Sequence, residues 1–160
     1  YTQTYWYGTV FWCFRKIIEK VVLQEQINKN ISLLKQYQEA TDKSSVVSKT
    51  DIKGIITYVN DEFCTISEYS REELLGKNHN IIRHSDNPKN IYEELWETIQ
   101  IRKKIWKGTI RNISKNGKIY YVKTTIKPIL DIDGKILEYI ALRDDITDIM
   151  NPLKQLNDFL

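Results

Sequence analysis

A mixed α+β domain built on a five-stranded antiparallel sheet is the fold class this sequence predicts. Three observations carry that expectation. Two short β-branched runs near residues 46 and 55 are followed, after residue 106, by three longer alternating runs separated by Asn-Gly and Asp-Gly turn signals. Between the two groups lie short segments with helix-start residues and a longer amphipathic one opening at Pro88. A stretch free of Gly and Pro, residues 17–43, precedes them all. A single sheet cannot bury a face alone, so the short helices must cover one side of it, or a ligand must fill the space between.

The elements follow in order. Residues 17–43 read as an amphipathic helix. Leu23, Ile27, Ile31, Leu34 and Tyr37 or Gln38 make a narrow apolar stripe opposite a polar face, which suits a coiled-coil seam of about two heptads. Val46-Val47 and residues 55–59 form a hairpin around the turn Asp51-Ile52-Lys53-Gly54. Asn60 or Asp61 caps a short helix through Phe63 and Ile66. Ser70-Arg71-Glu72-Glu73 is a capping box, and Gly76 ends the helix it opens. Pro88 begins a helix to about Arg102, with Ile91, Leu95, Trp96 and Ile99 on one face. Strands are predicted over 106–114, 118–130 and 135–146, and an exit helix from Asp148 interrupted near Pro152.

The chain has 160 residues, room for one domain with an appendage. Hydrophobic residues make up 41% and charged residues 28%, the balance of a soluble globular protein. The net charge of +3 is small and the lysines alternate with acids, so no basic stripe points to nucleic acid. Cys13 and Cys64 form no CxxC pair, and with two histidines they match no zinc framework; this fits a reducing compartment, with a single long-range disulfide as the other reading. No nucleophile elbow, Gly-rich phosphate loop or metal site is present, so no catalytic residue is expected. Residues 1–16 are aromatic and apolar and then basic at Arg15 and Lys16. They read either as the inner end of a membrane helix or as an appended hydrophobic segment. The abrupt ends read as those of an excised piece of a longer chain.

The run from Asn78 to Pro88 holds both histidines, an arginine and an aspartate. It is too polar for a core element and is set between two helices. Arg83, His84 and Asp86 are able together to hold an anionic or heteroaromatic ligand: a guanidinium for phosphate, an imidazole for a ring edge, and a carboxylate to orient the arginine or cap the helix at Pro88.

Residues 44–147 resemble the PAS domain family. The resemblance rests on Gly54-Ile-Ile-Thr-Tyr-Val-Asn-Asp61, Glu73-Leu-Leu-Gly-Lys77, Trp106-Lys-Gly-Thr-Ile-Arg-Asn112, Lys115-Asn-Gly117 and Asp145-Ile146-Thr147. Within that family the run is similar to the flavin-binding domains of bacterial aerotaxis and redox sensors, which carry Arg-His-Pro-Asp, a downstream Trp and an Asn six residues later. Here Arg83-His84-Ser85-Asp86 departs only at Ser85, while Trp106, Asn112 and Asn60 match. The resemblance implies noncovalent FAD held by Asn60, Arg83, His84, Asp86, Trp106 and Asn112. It also implies a signalling corner at Asp145, Ile146 and Thr147, and an output domain (kinase, cyclase or chemoreceptor) outside this chain. The light-sensing members place a reactive Cys after Gly-x-Asn; here Gly76-Lys77-Asn78 is followed by His79, and adduct chemistry is excluded. Haem, ligated by His79 or His84, is disfavoured by the polar surroundings.

These readings divide the chain into a hydrophobic segment (1–16), a helix (17–43) through which a homodimer forms, a sensor domain (44–147) and the start of a linker helix (148–160). The protein is expected in the cytoplasm, free or as the cytoplasmic part of an inner-membrane protein attached N-terminal to the sensor domain. A cofactor-free dimerisation and relay module, or a small-metabolite sensor, is the alternative function.

Overall fold

The computed structural model describes residues 2–151, with side chains from Val10 to Asn151. The expected interruption near Pro152 and the linker beyond it lie outside the described residues. The chain divides into two units, residues 1–40 and 41–160.

The first unit is nearly all one helix. α1 runs over Thr2–Ser44, so the aromatic segment and the 17–43 helix form one continuous element. Nothing in the sequence from residue 9 to residue 44 breaks a helix, and Arg15 and Lys16 both reach Glu19 at helical spacing. Leu23, Ile27, Ile31, Leu34 and Tyr37 are all exposed on it. Among the described residues no helix is long and apolar enough to cross a membrane.

The second unit is the sheet and its helices. β1 (Val46–Thr50), β2 (Ile56–Val59), β3 (Trp106–Ile113), β4 (Ile119–Leu130) and β5 (Ile136–Asp145) form one antiparallel sheet in the order β2-β1-β5-β4-β3. Each predicted strand is present. The turns work as their residues require: Gly54, Gly117 and Gly134 all have positive φ, which a side chain would strain. The Asp51 and Asp131 carboxylates each accept two backbone N–H groups inside their turns.

The helices lie between β2 and β3 in sequence. α2 (Asp61–Ser67) is capped by Asn60, whose side chain accepts from the Phe63 N–H. α3 (Arg71–Leu74) carries the full capping box, with Ser70 and Glu73 each accepting the other's backbone N–H. A 3₁₀ turn, His79–Ile82, was not legible in the sequence. α4 (Lys89–Trp96) continues as a π turn, Glu97–Ile101, which together cover the predicted helix from Pro88 to Arg102. A last helical segment begins at Thr147.

Two apolar clusters hold the sheet to the helices. Leu95, Ile99, Trp106, Ile110, Val122 and Tyr139 pack around β3, β4 and α4. Val46, Ile56, Val59, Phe63, Leu74 and Ile82 pack around β1, β2, α2 and α3. Phe63 and Leu74 are completely buried, and side chains of that size contribute about 2–3 kcal/mol each when removed from water.

A candidate ligand cavity between the sheet and the Asn78–Pro88 strap

The polar run forms a strap across the sheet. Gly76, at φ +77, turns the chain out of α3. The Gly76 N–H then donates to Ile56 O and the Ile56 N–H to Lys77 O, both at 2.9 Å, while Ile55 bridges Asn78, so the strap starts along the free edge of β2. The Asn78 side chain accepts from the Asn80 N–H at 3.0 Å and starts the 3₁₀ turn. At its other end Arg83 bridges Asn112 on β3, the opposite edge of the sheet. Asn87 finishes the attachment with its side chain. Its Oδ1 accepts from the Arg111 N–H at 3.1 Å and its Nδ2 donates to Arg111 O at 2.6 Å, as a neighbouring strand would.

Under the strap lies a cavity of about 310 Å³, bounded by both apolar clusters, β1, β3, β4, β5 and α4. Leu95, Ile99, Ile110, Ile126 and Tyr139 make an apolar slot, and Ser48, His79, Arg83, Asn112 and Arg143 supply its polar groups. That volume is at the small end of ligand pockets and suits a planar ring system with further groups extending outward.

The electrostatics concentrate at Arg143. Tyr139, Ala141 and Arg143 alternate onto the inner face of β5, with 3%, 6% and 4% exposure. The Arg143 guanidinium donates to Ser48 Oγ at 3.0 Å and to His79 Nε2 at 2.8 Å, and lies 5.4 Å from the Phe63 ring centre. Among the described residues no carboxylate is within ion-pair distance of it. Burial lowers its pKa to about 10. His79 is half-buried and lines the cavity with its ring nitrogen closed in by Ser48 and Arg143. Desolvation, and then the Arg143 charge, push its pKa down to about 3. A neutral imidazole whose Nε2 faces a guanidinium N–H must accept there, which assigns its proton to Nδ1.

Two of the six residues expected to hold a ligand reach the cavity. Asn112 is buried in its wall, and Arg83 lies at its margin, the guanidinium 3.3 Å from the Tyr92 ring centre. The other four surround it. Asn60 spends its side chain on Val47 N–H, Phe63 N–H, Asp42 O and Ser45 O. His84 Nδ1 accepts the Asp86 N–H at 3.1 Å. Asp86 pairs with Arg111 at 2.9 Å rather than with Arg83, and α4 opens without a side-chain cap. Trp106 is in the core with its ring over Gly108, where a Cβ would come within 2.5 Å of it; Trp96, assigned to the core stripe, is the tryptophan that lines the cavity. Sequence reasoning missed Arg143, Tyr92 and Asn87. Arg143 had a signal: a charged residue at the inward parity of a strand otherwise facing the core. Cys64 is a free thiol in α2, and burial raises its pKa, so it is a poor nucleophile.

The corner after β5 is locked. Asp145 Oδ1 accepts from the Thr147 N–H at 2.9 Å and from the Thr147 hydroxyl at 2.5 Å, while Thr147 Oγ1 accepts the Tyr121 N–H at 3.0 Å. The Ile146 N–H donates to Tyr121 O at 2.9 Å, so the final helix departs from a fixed point on β4.

Comparison with known proteins agrees with this architecture. The chain is 36% identical over 107 residues to the aerotaxis receptor of Escherichia coli (strain K12), covering 67% of this chain and 21% of the receptor. It is 35% identical over 104 residues to a nitrogen fixation regulatory protein of Klebsiella pneumoniae, covering 65% of this chain and 21% of that protein. The chain thus spans about a fifth of the length of these relatives. Among solved structures, the PAS domain of a protein from Colwellia psychrerythraea superposes with a TM-score of 0.65 at 26% identity, over 72% of this chain and 98% of that one. An RNA-binding light-oxygen-voltage receptor shares the fold, with a TM-score of 0.67 at 20% identity over 78% of this chain and 36% of that one. The family described as the PAS fold matches residues 56–143, from the first residue of β2 to the cavity arginine on β5. The chain therefore belongs to the PAS family.

Proposed function

We propose that this chain is the sensor domain of a bacterial signal-transduction protein. It holds FAD noncovalently in the cavity and reports redox or oxygen state to an output domain elsewhere in the parent protein. The observation that carries this reading is the cavity itself: an apolar slot closed by a polar strap whose Arg83 is bridged to Asn112. The residues fit a flavin ring. Leu95, Ile99, Ile110 and Ile126 suit its apolar end. The Asn112 amide both donates and accepts, as a pyrimidine edge requires. Arg83, at the margin, serves in this reading to pair with a phosphate that extends outside. A flavin supplies reversible electron uptake; the protein supplies orientation and charge. His84, Asp86, Asn60 and Trp106 act in this reading by holding the strap and the cavity walls. Serine at position 85 donates to Asp86 at 3.3 Å, so the strap keeps a local tie where proline would have stiffened it.

The relay follows from the two ends of the domain. Helix α1 pairs with a second copy through the stripe at Leu23, Ile27, Ile31 and Leu34, and the Asp145-Ile146-Thr147 corner couples the sheet to the departing helix. The test is an absorption spectrum of the purified protein before and after reconstitution with FAD. The reading requires the two flavin bands, and their absence after reconstitution refutes it. Sedimentation of the 1–160 chain beside a chain beginning at residue 41 tests the dimer.

A further inference from the structure

Among the described residues, Arg143 has no carboxylate within ion-pair distance. Its hydrogen-bond partners among them are Ser48 and His79, both neutral groups, and Phe63 covers one side of the guanidinium. A buried cation with only neutral neighbours is costly, because no opposite charge offsets its desolvation, and on that ground an apolar group of similar volume is expected to be tolerated in its place. The guanidinium also lines the cavity, as do both of its neutral partners. They come from three elements, β1, the strap and β5, so the arrangement is a built corner and not one stray side chain.

We propose that Ser48, His79 and Arg143 form the acceptor-recognising end of the cavity, that Arg143 takes as its counter-group the electron-rich carbonyl edge of the bound ligand, and that it grips the reduced flavin more tightly than the oxidised one. The preference for the reduced form rests on the flavin reading; the recognition of an acceptor group does not. The chemistry is direct. Two electrons from a reductant such as dithionite, with one proton taken up from solvent, leave the ring with a net negative charge. A buried guanidinium facing that charge makes stronger hydrogen bonds to it than to the neutral ring. His79 serves the same end: with Nε2 accepting from Arg143, it fixes the guanidinium plane without neutralising it.

The experiment uses the full chain as wild type, Arg143→Met and Arg143→Lys. FAD affinity is measured for the oxidised form by titration, and the midpoint potential of bound FAD gives the reduced-to-oxidised affinity ratio. That ratio is expected to fall tenfold or more in Arg143→Met, a shift of about 30 mV for a two-electron couple. Arg143→Lys keeps the charge without the fork, should lose less, and carries the same measurement if Arg143→Met does not fold. An unchanged ratio in the folded variants overturns the proposal. If no protein binds FAD, melting of the ligand-free proteins decides. Arg143→Met melting at or above wild type refutes the flavin reading alone and leaves Arg143 as the recognition group for another acceptor ligand. Melting clearly below wild type shows a structural arginine and refutes both.

Discussion

Asn60→Ala should be among the most damaging single polar substitutions in this domain, although Asn60 lies outside the cavity. Asn60 is 3% exposed, and its amide makes four bonds: Val47 N–H at 2.9 Å and Phe63 N–H at 3.1 Å to Oδ1, and Nδ2 to Asp42 O at 2.8 Å and Ser45 O at 2.7 Å. It ties the end of α1, the start of β1 and the start of α2 together. Loss of the helix cap alone costs about 1 kcal/mol, and a buried Val47 N–H without a partner costs about 1–3 kcal/mol. With the two carbonyls, one or both of which can turn to water, the total is about 3–4 kcal/mol, or at least ~10 °C in Tm for a domain of this size. Asn60→Asp separates the two halves of the amide. Its carboxylate keeps both N–H donors but turns its second oxygen toward the two carbonyls. It should therefore be less stable than wild type at pH 8 and recover partly at low pH, where a protonated oxygen again donates. Urea unfolding of ligand-free protein, followed by circular dichroism, measures all three. A loss below 1 kcal/mol in Asn60→Ala, or an Asn60→Asp protein as stable as wild type at pH 8, would refute the brace.

Other outcomes follow from the cavity and the core. A histidine outside the fold binds its proton near 6.5, but here not until about 3, so the folded state loses stability as pH falls below 6.5. The loss is at most about 1.4 kcal/mol per pH unit, reduced by any water in the cavity; urea midpoints at pH 7 and 4.5 should differ more in wild type than in His79→Phe. Gly108→Ala puts a methyl group 2.5 Å from the Trp106 ring and should cost about 1–3 kcal/mol, with a shifted tryptophan emission; unchanged emission and Tm would place the ring elsewhere. Asn112→Ala should weaken FAD binding about tenfold or more by leaving ring atoms without a partner, measured by flavin fluorescence titration; equal affinity would move the ring away from β3.

Most of the fold was legible because its signals are local. Alternation, Asn-Gly and Asp-Gly turns, and the Ser70–Glu73 box specify their elements within a few residues. The 3₁₀ turn at His79–Ile82 was hidden because its stabilisation comes from Asn78 and from the sheet edge, neither of which shows as periodicity. The site divides in the same way. The motif around Arg83 and Trp106–Asn112 was visible as a pattern, but a pattern does not say which members face inward. Asn60 and Trp106 are fixed in the frame, and His84 and Asp86 in the strap. Asn87 was overlooked because its work is tertiary: one amide standing in for a strand, 24 residues from the backbone it pairs with. The 43-residue extent of α1 was underestimated because aromatic residues near Tyr5 weaken propensity without breaking a helix.

The strap also determines how this domain is able to meet other proteins. An open sheet usually offers its two lateral strands as templates on which another chain can add a strand. Here Gly76–Asn78 occupies β2 and Arg83 with Asn87 occupies β3. One segment thus closes the start of β2 and the end of β3, a stretch of each lateral border, while it roofs the cavity. Growth by strand addition is blocked there, and association is directed to the outer face of the sheet or to helices. A ligand that shifts the strap therefore acts at both borders at once, and a change in the cavity is felt at the two margins farthest apart in the sheet.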